Sequence, residues 1–108
     1  MLGQDPYNIL EDHTKNLTML CGSILKLSQK NLCTKEILEE FSERMVIHVK
    51  AILENAKGIP EEDLFINFCL SITPLGEGPE YFQKYSCKIL EYYNIRLRHI
   101  WRERHENK

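Results

Sequence analysis

The residues richest in chemistry stand together at one end of the chain. NIRLRHIWRERHENK, residues 94–108, holds four arginines, two histidines and the only tryptophan. On a helix Arg98, Arg102 and His105 fall at i, i+4 and i+7, one face about 10 Å long. Two guanidinium groups so placed can clamp a phosphate bidentately, and an imidazole beside them can move a proton. In that use Arg98 and Arg102 bind the anion and His105 is general acid or base, a minimum set for cleaving RNA without a metal.

RHIWRERH, from Arg98 to His105, resembles the Arg-x(4–6)-His signature of HEPN-type ribonucleases, in which a polar residue often follows the arginine as His99 does here. The resemblance covers eight residues and two defining positions. It implies a small helical bundle acting as a dimer, with Arg98 and His105 as its catalytic pair. Helix electrostatics offers a plainer account. Residues 96–108 carry five Lys/Arg against two Glu, in a chain whose formal net charge is -2. Cations near a helix C-terminus complement the dipole, and Arg96, Arg98, Arg102, Arg104 and Lys108 all stand there. Nucleic-acid binding is therefore not the favoured expectation, since a near-neutral chain lacks the field for it. A protein contact is the third use of the segment, with Tyr93, Leu97, Ile100 and Trp101 as its interface, because aromatic and Arg side chains anchor such contacts.

Elsewhere the chemistry thins out. His13, His48, His99 and His105 show no His-x-x-x-His, His-Glu-x-x-His or Glu-x-x-His spacing, so no metal site is expected. No cofactor is expected either. The glycines of TPLGEGP lack the phosphate-loop and dinucleotide spacings. Glu39-Glu40 and Glu61-Glu62 sit where first turns favour acids. Tyr81, Tyr85, Tyr92 and Tyr93 suit core and boundary positions better than base stacking. Cys21, Cys33, Cys69 and Cys87 form no C-x-x-C pair and read as reduced, Cys21 and Cys69 as packing residues among apolar neighbours, which favours the cytoplasm. Two disulfides in a secreted protein are the less favoured alternative; Asn16-Leu17-Thr18 is a formal glycosylation sequon, but MLGQDPYNIL does not open like a signal peptide. LFINFCLSI is too short to span a membrane.

The elements that would position these residues are helices. Asp5 caps and Pro6 opens a first helix running to about Gln29, with Leu10, Leu17, Leu20, Cys21, Ile24 and Leu27 on one face. Thr34 caps a second, whose face is Ile37, Leu38, Phe41, Met45, His48 or Val49, Ile52 and Ala56, and Gly58 and Pro60 end it. PEEDLFINFCLSI starts like a helix, yet Ile66, Phe68, Leu70 and Ile72 alternate like a strand. A lone strand lacks a partner, since the alternation of NIRLRHIW fails at His99-Ile100, so a short third helix is preferred. Pro79 opens a long last helix with Phe82, Tyr85, Ile89, Tyr92 or Tyr93, Leu97 and Ile100 inward.

These pieces predict one all-α domain over residues 1–108, an antiparallel four-helix bundle with a short third and a long C-terminal helix. The long helix would overhang its short partner and leave an apolar face for self-association or a partner helix. The expected function is a non-enzymatic interaction or regulatory (adaptor) module, working as a homodimer or with a partner helix. A small RNA-binding protein or HEPN-like ribonuclease built on the basic helix is the alternative, and a disulfide-bonded secreted signalling protein the third reading.

Overall fold

The computed structural model describes residues 5–72, residue 84 and residues 87–106. The loop TPLGEGP, the helix start at Pro79 and the expected inward residues Phe82 and Tyr85 lie outside the described residues, as do Tyr81 and the side chain of Cys87. The fold is all-α: α1 (Pro6–Gln29), α2 (Lys35–Asn55), α3 (Glu62–Leu70) and α4 (Cys87–Glu106), with no strand among the described residues.

Local chemistry accounts for each helix end. Asp5 accepts a hydrogen bond from the Tyr7 amide at 2.9 Å, and Pro6 follows where a missing N–H costs nothing. At the far end Asn31 adopts φ 59°, the left-handed region that Asn tolerates better than most residues. The Leu32 amide then bonds the Leu27 carbonyl at 2.8 Å and the Asn31 amide bonds Ser28 at 3.0 Å, a Schellman closure. Thr34 caps α2 through the Ile37 amide at 3.2 Å, and Gly58, at φ 81°, turns the chain toward α3. No side chain caps α3; Glu62 and Asp63 in its first turn face the positive end of its dipole.

The ambiguous segment resolves to helix for a packing reason. Phe65, Phe68, Cys69 and Ile72 are buried, a spacing of three and four, whereas Leu70 is 59% exposed. At nine residues, about 14 Å, α3 is the short element. It docks the Phe65 ring 5.9 Å from that of Trp101.

α1 and α2 pack most closely, as an antiparallel hairpin. α1 and α4 also run antiparallel, since Asp5 meets Arg104, Glu11 meets His105 and Thr18 meets Asn94. That meeting is made mainly by long side chains, with the two backbones held further apart. The core joins Leu10, Leu17, Ile24, Ile52, Phe65, Phe68, Leu97 and Trp101. Thr14 fills the step between Leu10 and Leu17 and is buried, because its hydroxyl bonds the Glu11 carbonyl at 3.1 Å.

One expectation for α4 needs correction. Ile89 is half exposed and Leu90 is buried in its place, since the inward stripe runs Leu90, Tyr93, Leu97, Trp101 and leaves Ile89 about 100° off axis. Tyr93 is the inward tyrosine, and Tyr92 is 54% exposed.

Candidate functional site

The basic helix splits its cations between structural partners and open solvent. His105 places Nε2 at 3.0 and 3.1 Å from the two carboxylate oxygens of Glu11 on α1. Lys15 donates to the same carboxylate at 2.6 Å. Burial works to raise the Glu11 carboxyl, but the hydrogen bonds from Lys15 and His105 outweigh it and hold the group below the ordinary carboxylate range. Glu11 is itself buried, so this is the one interior acid of the described chain and it is satisfied.

Arg104 is the structural cation. Its guanidinium pairs with Asp5 and lies 4.3 Å over the Tyr7 ring. The Tyr7 hydroxyl in turn donates to Glu61 at 2.5 Å, and burial and that carboxylate push Tyr7 up to about 12. The cluster ties the start of α1 to the end of α4 and to the entry of α3. Nothing in the spacing of Asp5, Tyr7, Glu61 and Arg104 announces it, since the partners are brought together only by the fold.

Arg98 and Arg102 are exposed and make no hydrogen bond or ion pair with a described residue. Of the three residues expected to form a clamp, then, His105 is engaged by Glu11 and the two arginines stand free. Leu97 and Trp101, expected at a partner interface, are 2% and 5% exposed and belong to the chain's own core; Ile100 and Tyr93 are half-buried against it. The exposed apolar side chains of α4 are Ile89, Tyr92 and Ile95.

Between α1 and α4 the wide backbone spacing leaves a groove of about 300 Å³. Met19, Leu97 and Trp101 supply its apolar surface, Thr18 and Asn94 bridge the helices by a 3.0 Å hydrogen bond, and Arg98 and Lys15 stand at its edge.

A second pair escaped the sequence reading altogether. His13 and His48, 35 residues apart, meet across α1 and α2 with Nδ1 to Nδ1 at 2.8 Å. One nitrogen must donate and the other accept, so at most one ring carries a proton on that side. Burial, then the charge of His13, holds His48 below the usual imidazole range. Among the described residues no group of three or more His, Cys, Asp or Glu converges as a metal site would. Cys33 and Cys69 are unbridged thiols, so the described residues do not carry the two-disulfide pattern. No helix among the described residues is long and apolar enough to cross a membrane. Comparison with known families, with characterised proteins and with solved structures finds no match for this chain.

Proposed function

We propose that the chain is a non-enzymatic interaction module that associates with a second copy of itself, the outward face of α4 packing on the outward face of α2. The observation that carries this is a complementarity of charge and apolar surface on two faces of one molecule. α4 holds five bases against three acids and exposes Tyr92 and Ile95 beside Lys88 and Arg102. α2 holds five acids against three bases and exposes Val46 and Ile47 beside Glu39 and Glu43. Opposite potentials steer such faces together, and the exposed apolar residues supply the burial that holds them. α2 and α4 are not among the helix pairs that pack closely on each other. The pairing of the two faces is head-to-tail, and it grows past a dimer unless the rotation closes a ring.

Light scattering over a concentration series tests this. Association should weaken with salt and be lost in Ile95→Glu and in Ile47→Lys. Mixing those two variants should restore a heterodimer, because each retains one intact face. A monomer at every concentration removes the reading, and a mixture that stays monomeric removes the α4-on-α2 assignment. Unbridged Cys33 and Cys69 support a reducing compartment, and the cytoplasm is proposed on that basis.

The ribonuclease reading keeps one supporting observation. Glu11 orients the His105 imidazole as a carboxylate orients a catalytic histidine, with unpartnered Arg98 two turns away on the same helix. Incubation with structured RNA at low salt tests it; activity lost in His105→Ala would favour it, and equal inactivity of both proteins would remove it.

A further inference from the structure

We infer that the groove between α1 and α4 is a binding site for a small monocarboxylate with an apolar body. The site adjoins the α4 face proposed for self-association, Arg98 standing one turn from Ile95 and from Arg102, but takes none of the residues named for that face.

Three observations converge on that ligand class. The first is shape. Small-molecule sites are concave, mostly apolar and carry few polar groups, and a volume of about 300 Å³ falls at the small end of their range. It has room for roughly ten water-sized groups, which suits a medium-chain alkyl acid or a single aromatic ring with a short tail. The second is the lining. Met19 is 69% exposed at the groove, a large and adaptable apolar side chain left in water, and Leu97 and Trp101 close the wall beneath. The third is charge. Arg98 stands at the edge with no hydrogen bond or ion pair to any described residue, while its neighbour Lys15 is already taken by Glu11. A free guanidinium presents a planar fork that matches a carboxylate with two parallel hydrogen bonds. An apolar body against Met19 and Trp101 with its carboxylate on Arg98 satisfies all three. A cationic head would instead face the Arg98 guanidinium.

The geometry also explains why the space persists. The Thr18 hydroxyl lies 2.9 Å from the Thr14 carbonyl of its own helix and 3.0 Å from Asn94 Oδ1 on α4, two acceptors that share its one proton. The Asn94 contact joins α1 to α4 within the groove lining and so helps set the spacing of the two helices there.

Trp101 is the only tryptophan of the chain and lines the groove, which makes its fluorescence a local reporter. Octanoate, kept below its micellar concentration, is titrated into the full chain beside octanol and octylamine. A saturable change with octanoate is expected, with octanol weaker and octylamine inactive. Arg98→Ala should weaken octanoate by about three- to tenfold, as loss of one partly exposed charge-assisted contact implies, and leave octanol unchanged. Arg98→Lys should fall between, because an ammonium keeps the charge and loses the fork. Arg98 is exposed, and an unchanged circular dichroism spectrum shows that the variant is folded. Met19→Glu, at another exposed position, should also weaken octanoate. A linear, unsaturable response overturns the site. Equal affinity for octanoate and octanol, or an Arg98→Ala protein that binds octanoate as well as the parent, overturns the carboxylate assignment. The same titration on Ile47→Lys, whose substitution on α2 is remote from the groove, separates the two proposals, since binding there should be intact whether or not the protein self-associates.

Discussion

Replacing Phe65 by Ala should cost the fold far more than replacing Leu70, five residues along the same short helix. Phe65 is fully buried and packs its ring 5.9 Å from that of Trp101, so truncation removes a whole aromatic side chain from the centre of the bundle. Phe→Ala in a core costs about 3–5 kcal/mol, to which the lost aromatic pair adds roughly 0.5–1.5 kcal/mol. A loss of about 4 kcal/mol is a large share of the 5–15 kcal/mol that typically stabilises a domain. For a chain of 108 residues it corresponds to a fall in Tm of roughly 15 °C. Leu70, 59% exposed, should change stability by less than about 0.5 kcal/mol when cut to Ala. Thermal and urea unfolding followed by Trp101 fluorescence and by far-ultraviolet circular dichroism would measure both. The comparison is sharp because the two periods assign the residues differently. A strand through LFINFCLSI buries Leu70 with Phe68 and Ile72, whereas the helix buries Phe65 with Phe68, Cys69 and Ile72. A Leu70→Ala loss equal to or greater than that of Phe65→Ala would refute the packing of α3.

Three further outcomes follow from the titratable groups. His48 has a depressed imidazole, so its contribution to stability is present above the ordinary value of 6.5 and lost as pH falls through the folded value; Tm should drop from pH 7 toward pH 5, and His48→Gln should flatten that drop. An unaltered pH profile in His48→Gln would count against the His13 contact. Glu11, held below its ordinary 4.5, contributes stability present above that value and lost as pH falls beneath it, so Glu11→Gln should shallow the acid limb of a Tm-against-pH curve. Cys69 is buried and its thiol is pushed up to about 12 by desolvation, whereas Cys33 is half-buried; peptide mapping after brief iodoacetamide treatment should find Cys33 modified before Cys69, and equal modification of the two in the native protein would count against the burial of Cys69.

Much of the architecture was legible because local chemistry dictates it. Asp5-Pro6 and Thr34 are caps whose side chains bond amides two or three residues away, and Gly58 answers a backbone need at a single position. Asn31 does the same for the end of α1, and its signal is weaker only because Asn also serves in many other turns. The face of α4 was harder to read. Ile89 and Leu90 are both apolar neighbours, and one residue of phase decides which of them is inside.

The candidate site was legible only in part, and the reason is distance along the chain. Arg98, Arg102 and His105 share a helix, so their common face follows from 3.6 residues per turn. What each one does depends on partners 94 to 99 residues away for His105 and Arg104, and on the spacing of two helices for the groove beside Arg98. His13 and His48 carry no spacing signal at all and touch only because α1 and α2 fold back on each other. The sequence by itself determined where helices start and stop and which stripes are apolar, since those are interactions within a turn or two. Only the tertiary structure decided which charges are spent on Glu11 and Asp5 and which stay free, because charge pairing acts through space and the chain's order does not record it.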